Sequence, residues 1–390
     1  MTEKSVNQKM ILIAVQLSCF LCLMFVTAGY SIYSHVKTDK LISNCFLMFL
    51  AFMVVIIHVH RDIKANRMMF DNGRHPVRLY ICILLSICIA GICCFLPVGV
   101  WPFVAIFVAL TVFSNLQTGI VISILLLTLP GGLTNQLQEG YLIYLVSGIL
   151  GAVLFYHIDD KFDMIQAMSL SVTGLLFCEV CCGILLTNAR PTAEAFVIPV
   201  TNIIVSVLLL LGILKYFYAN VLYKYRVKYL TINDTETEAL QALRNSNKKL
   251  YMECVHIAHF SEIIANSLDM DKDALKTLAF YRNFSLEELT KLYGAEQIPP
   301  YAVKLLEEYH GRASVYSRET TALIIVERFI ARASEYIRSG KKEVIVHEID
   351  NIMDSLYLEK RFRTSELSLL EFNKIREIFK EEQLYYDFLH

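Results

Sequence analysis

The stretch "CVHIAHFSE" sets His256 and His259 three residues apart. On a helix that is one turn, so both imidazoles can reach one divalent cation, with Glu253 or Glu262 as a neighbouring carboxylate. A little further on, "TLAFYRNFS" carries the pair Arg282-Asn283. This pair poses the opposite chemistry. A guanidinium neither loses its proton nor coordinates a metal, but its forked N–H groups grip carboxylates and phosphates. A third candidate is Glu179, an acid deep within an apolar run. It is either a functional intramembrane group or a packing carboxyl hydrogen-bonded beside Thr173 or a neighbouring helix. No Ser-His-Asp or Cys-His pairing follows from spacing alone.

The elements that must position these groups fall into two halves. The 390-residue chain is 55% hydrophobic and only 19% charged, with a mean hydropathy of +0.48, values that a soluble domain rarely reaches. The apolar residues concentrate before about residue 220, and after Tyr223 the chain becomes charged and amphipathic. The formal net charge of −1 offers no footprint for nucleic acid. Ten of the eleven cysteines lie before residue 183 inside apolar runs, where they read as small membrane residues rather than a disulfide framework.

Eight membrane spans are expected, at 10–34, 41–60, 78–97, 100–114, 117–130, 141–157, 164–186 and 195–220. The run 100–130 is too long for one span and is interrupted by the polar patch "FSNLQTG", so it is divided in two. Charge placement agrees. Arg61, Lys64, Arg67, Arg74 and Arg78, and then Lys224, Arg226 and Lys228, fall with an even span count on the same side as Lys4 and Lys9. Lys37, Lys40 and Arg190 are left opposite. Positive loops stay inside, which predicts a multi-pass protein of the cell membrane with both termini cytoplasmic. The first run is longer than a signal-peptide core and reads as a retained helix.

The second half predicts an all-α unit: a linker helix at 223–247, within which "NDT" (Asn233 to Thr235) offers a helix start for 235–246, then a helical domain at 248–390. Its helices are expected at 248–268, 271–283, 285–293, 299–309, 317–338, 342–356 and 368–386, without strands or a glycine-rich phosphate loop.

Several stretches together resemble a known family, the seven-transmembrane proteins with an intracellular HD-type phosphohydrolase domain, related to membrane cyclic di-AMP phosphodiesterases. "LYMECVHIAHFSEIIANSLDMDKDALKTLAFYRNF" is similar to the family's first two HD helices, the second ending in the His-Asp pair. "IPPYAVKLLEEYHG" resembles its helix ending in His-His-Gly, and "ETTALIIVERFIARAS" its Leu-Ala-Asp-Ser helix. "LSLLEFNKIREIFKEEQLYYDFLH" resembles its last helix and "LPVGVWPFVAIFVAL" its membrane core. The resemblance covers about residues 78–390. It implies a phosphodiesterase site whose imidazoles and carboxylates hold Mn or Fe and generate hydroxide.

Carried over one position at a time, that site is degenerate. The first histidine falls at Glu253, or at Met252 with a slip of one. The His-Asp pair falls at Arg282-Asn283, the His-His pair at Tyr309-His310 and the late aspartate at Arg328. The resemblance therefore implies no metal and no catalytic residue, with His256 and His259 as the alternative metal site. Three roles are open for the substituted positions: an ion-pair cluster of Glu253 with Arg282, Arg328 or both; a phosphate grip by Arg282, Asn283, His310 and Arg328 without hydrolysis; or solvated charges at a helix end. The expected function is a membrane-embedded sensor or scaffold, contacting the lipid bilayer and a protein or cyclic-dinucleotide partner, with a homodimer as one form. The alternatives are an active cyclic di-AMP phosphodiesterase with a rearranged site and, on Glu179 and the span number, a transporter.

Overall fold

The structure, a computed structural model, describes residues 3–134, 137–156, 161–187, 197–312, 314–338, 342–357 and 364–382. Among these the secondary structure is helical, and the sole sheet-like pairing is an isolated bridge between Tyr316 and Ser365. The chain forms two compact units, Met1–Tyr223 and Lys224–His390.

The first unit contains α1 (Glu3–Tyr33), α2 (Thr38–Lys64), α3 (Pro76–Cys93), α4 (Phe103–Val112), α5 (Leu116–Thr134), α6 (Leu137–Tyr156), α7 (Lys161–Thr187) and α8 (Val197–Phe217). Among the described residues six helical runs are long and apolar enough to cross a membrane: Lys9–Tyr33, Thr38–Lys64, Pro76–Cys93, Leu116–Thr134, Met164–Cys182 and Val197–Ile232. Large apolar side chains such as Phe25, Phe177 and Leu208 stay exposed on three of these runs, as expected of surfaces that face lipid tails. Where eight spans are expected, two apolar helices are shorter, Phe103–Val112 and Tyr141–Tyr156. The expected span 117–130 continues through Pro130 to Thr134. Arg190 lies outside the described residues.

Helix α4 is the centre of this unit. Its ten residues rise about 15 Å, half of a hydrocarbon core, and all ten are buried. A helix apolar on every side needs cover all round, which α5, α6 and α8 supply. Glycines permit the close approach. A Cβ on Gly148 would lie 2.6 Å from the Phe107 ring, one on Gly151 3.2 Å from Val108, and one on Gly119 2.5 Å from the Thr111 backbone.

Both ends of α4 leave backbone groups that no lipid can satisfy. At the first end, the Tyr144 hydroxyl accepts from Trp101 N at 3.1 Å and donates to Val98 O at 2.5 Å. At the second end, Ser114 Oγ donates to Leu110 O at 2.5 Å and Asn72 Nδ2 to Val112 O at 3.0 Å. Met69 N donates to Ser114 O at 2.8 Å. Asn115 then starts α5 by accepting from Thr118 N at 2.8 Å, the usual side-chain cap. The polar patch between the two apolar runs is thus a helix stop followed by a helix start.

The second unit contains α9 (Tyr223–Ile232), whose first residue closes the preceding unit, α10 (Glu238–Ser246), α11 (Lys248–Leu268), α12 (Lys272–Tyr281), α13 (Leu286–Tyr293), α14 (Pro300–Tyr309), α15 (Arg318–Arg338), α16 (Lys342–Tyr357) and α17 (Leu369–Glu381). The linker stretch 223–247 is two helices, and the second begins after the "NDT" start. The break follows from Asn233, whose side chain donates to Asp273 O at 2.9 Å and accepts from Thr277 Oγ1 at 2.8 Å, tying the turn to α12. Helix α11 packs on α10, α12, α15 and α17. Its Phe260 meets Phe329 and Phe379, which stack on each other at 3.9 Å. Capping boxes at Ser285/Glu288 and Ser368/Glu371 start α13 and α17, each closing two orphan donors reciprocally.

If glycine contacts set the fit of α4, Gly119→Ala and Gly148→Ala each destabilise the protein by about 1–3 kcal/mol through overpacking. Gly212→Ala, which meets nothing within 4 Å, leaves it unchanged or stabilises it by up to about 1 kcal/mol. Thermal unfolding of the full chain in detergent measures the contrast.

Candidate functional site

Four helices of the second unit converge on Arg282. This residue follows α12 as its C-cap, and at 1% exposure it is among the largest side chains enclosed by the protein. A permanent charge so placed must be met by acceptors. From α11, Glu253 Oε1 receives Nη2 at 2.8 Å and Cys254 Sγ receives Nη1 at 3.1 Å. From α12 itself, Ala279 O receives Nη1 at 2.7 Å. From α15, Glu327 Oε1 receives Nε at 3.2 Å. Four of the five guanidinium N–H groups thereby end on protein atoms. The Tyr309 hydroxyl of α14 reaches both oxygens of Glu327 at 2.9 Å and holds that carboxylate in place.

The electrostatics follow from this packing. Burial alone would push the Arg282 pKa down, but Cys254, Glu327 and Glu253 outweigh it and hold the pKa above its ordinary value. Burial likewise pushes the Cys254 thiol up, only partly opposed by Arg282, so Cys254 is a neutral thiol at physiological pH. Two carboxylates therefore flank one fixed cation. Their side chains keep 39% and 23% exposure, for Glu253 and Glu327, so the cation is sealed from water while the anions remain accessible.

Of the positions singled out in the sequence, Glu253, Arg282 and Tyr309 meet in this cluster. Arg328 does not: it is exposed, and Glu327, one residue earlier, faces the site. The helical spacing of Thr320, Leu323, Glu327 and Ile330 places Glu327 on a buried stripe of α15, a signal that could have singled it out. Cys254 was missed because a lone cysteine on an apolar face reads as packing. Asn283 is exposed. His310 is exposed too, with Nε2 at 3.3 Å from Phe284 O. The four residues of the expected phosphate grip are therefore not gathered as free donors, because Arg282 is engaged with protein acceptors.

His256 is buried and His259 partly so. Burial first, and His259 second, hold the His256 pKa below its ordinary value. Among the described residues no group of three or more histidine, cysteine, aspartate or glutamate side chains is arranged to hold a metal ion.

In the first unit, Glu179 of α7 is buried. Its Oε1 accepts a short bond from Asn202 Nδ2 of α8, and its Oε2 has no hydrogen-bond partner. Thr173 is not its partner, since that hydroxyl donates to Ser169 O at 2.9 Å. Asn202 also donates to the Tyr144 hydroxyl at 3.0 Å and accepts from Ser206 Oγ at 3.1 Å. The carboxyl is thus one end of a polar chain linking α6, α7 and α8 to the residues that precede α4.

No protein-family model, curated protein or solved structure matches the chain.

Removing the buried cation leaves two carboxylates facing each other. Arg282→Ala is expected to lower stability by about 2–4 kcal/mol, below the full penalty for breaking a buried pair because both anions keep contact with water; denaturant unfolding reads it. The depressed pKa of His256 gives a pH dependence. Below the unfolded-state value of about 6.5 the unfolded chain takes up a proton that the folded chain refuses. Stability therefore falls as pH drops from there to the folded pKa and levels off below it. In His256→Gln that acid slope is shallower.

Proposed function

We propose that this protein is a membrane-embedded sensor or scaffold whose helical domain is an HD-like phosphohydrolase fold without hydrolytic activity. One observation carries the reading. Arg282, at the position corresponding to a metal-binding histidine in the resembled family, is enclosed between Glu253 and Glu327. A guanidinium there supplies the positive charge that carboxylates of such a site would otherwise share with a metal, and its presence opposes a dication at close range. It supplies no hydroxide. The charge that would promote chemistry instead pins α11, α12 and α15 together.

The same observation favours a protein partner over a cyclic dinucleotide. The donors of Arg282 that would grip a phosphate end on Glu253, Glu327, Cys254 and Ala279, and the accessible atoms of the cluster belong to anions. In this reading the membrane unit lies in the cell membrane, the basic stretches around Arg61–Arg78 and Lys224–Lys228 lie on the cytoplasmic side with both termini, and the helical domain passes a membrane signal to its partner, as a monomer or a homodimer.

The test uses the full chain in detergent. Metal content after expression in Mn- and Fe-supplemented medium, and cyclic di-AMP turnover with added Mn, are measured together. Substoichiometric metal with no turnover is the expected result. Stoichiometric Mn or Fe with metal-dependent hydrolysis would establish the active phosphodiesterase instead.

A further inference from the structure

Three buried oxygen atoms at the break between α4 and α5 have no hydrogen-bond partner among the described residues: Asp62 Oδ1, Asn72 Oδ1 and Thr111 Oγ1. Their residues are 0%, 3% and 0% exposed. Asp62 and Asn72 are tied to the break by their other side-chain atoms, and Thr111 by its position. Asp62 Oδ2 accepts from Thr118 Oγ1 at 2.5 Å and from Asn115 Nδ2 at 3.1 Å, the residues that begin α5. Asn72 Nδ2 donates to Val112 O, the last residue of α4. Thr111 lies in the last turn of α4, against Gly119 of α5.

Orphaned acceptors are rare inside proteins, and each one calls for a ligand or a reason. Here they accompany a helix C-terminus, the negative end of the α4 dipole. The carbonyls of Leu110 and Val112 each hold one donor and retain a second lone pair. The donor set is hard oxygen throughout, with a single formal negative charge. That chemistry suits a monovalent alkali cation, and the carbonyl end of an interrupted membrane helix is where such ions are held.

The cations already near Asp62 do not fill the role. His58 Nε2 stands 3.6 Å from Oδ2 and Arg61 Nε 3.8 Å from Oδ1, both beyond hydrogen-bond reach, and the Arg61 side chain is 60% exposed. Arg61 Nη2 instead meets His58 Nδ1 at 3.3 Å.

The geometry points to a binding site for a monovalent metal cation, sodium being the first candidate, at the α4–α5 break, with Asp62, Asn72 and Thr111 as its side-chain ligands. It stands on the membrane unit alone and is independent of the reading of the helical domain. A cation there would neutralise the Asp62 carboxylate, occupy the orphaned acceptors and lock the stop of α4 to the start of α5.

The experiment compares the full chain in detergent in chlorides of lithium, sodium, potassium and N-methyl-glucamine at matched ionic strength. Thermal unfolding is one readout. Fluorescence of Trp101, the chain's single tryptophan, which stands just before α4, is the other. A saturable rise in melting temperature of about 3 °C or more is expected with one alkali cation over N-methyl-glucamine, with a parallel change in fluorescence. Asp62→Asn removes the effect, and Asn72→Ala or Thr111→Val raises the half-saturating concentration by about tenfold or more. The last two variants decide the matter if Asp62→Asn fails to fold. Identical curves in all four chlorides would overturn the proposal and leave buried water as the occupant. So would an ion effect that survives unchanged in the ligand variants.

Discussion

A guanidinium cut off from water persists only where protein acceptors replace its hydration. In the helical unit that requirement falls on Arg282, and meeting it recruits α11, α12 and α15 directly and α14 through Tyr309. The arrangement is cooperative. Glu327 is oriented by Tyr309, Arg282 is oriented by Glu327 and Glu253, and the Cys254 sulfur accepts a donor that would otherwise be orphaned. A metal could bridge the same helices in a hydrolase, but it would bring an exchangeable water with it. The fixed cation brings none, and the proposed loss of hydrolysis follows from that difference.

The membrane unit solves the same problem with neutral groups. Helix α4 is too short to cross a bilayer, so both of its ends must be satisfied within protein. Tyr144 closes the first end and the 65–75 loop, through Met69 and Asn72, closes the second. Three buried carboxyls lie near those ends among the described residues: Asp71 sits beside Asn72, Asp62 bonds to residues at the start of α5, and Glu179 connects through Asn202 to Tyr144. Asp62 and Glu179 each retain one oxygen without a hydrogen bond among the described residues. The buried carboxyls and carboxamides described in this unit are thus linked to the interruptions that flank α4, while the long helices bury single hydroxyls such as Thr27, Ser86 and Ser171 and expose apolar side chains.

Much of this was legible in the sequence. The change in composition near Tyr223, the long apolar runs, the all-helical second half and the interruption at "FSNLQTG" follow from hydropathy, periodicity and the polarity of that patch. The burial of α4 on every side was not legible, because an apolar run reads alike whether it faces lipid or protein. The helix start at "NDT" was legible, but the contacts that tie Asn233 to α12, forty residues away, were not. At the candidate site, a motif register pointed to Arg328, yet the α15 stripe carries Glu327. The reason is physical: the face of a helix is set by packing, and a motif offset by one residue turns a side chain by about 100°. The pairing of Arg282 with Glu253 was among the roles the sequence left open, whereas Glu327 enters the cluster only through the fold.

The claim that the ion-pair cluster pins the helices is most directly tested by a double-mutant cycle between Arg282→Met and Glu327→Gln in the full chain, with hydrogen exchange of α11, α12 and α15 amides reporting local stability. A pin predicts strong coupling: the two single changes together cost less than their sum by about 1 kcal/mol or more. Purely additive losses, within about 0.3 kcal/mol, would mean that Arg282 and Glu327 act independently and would contradict it.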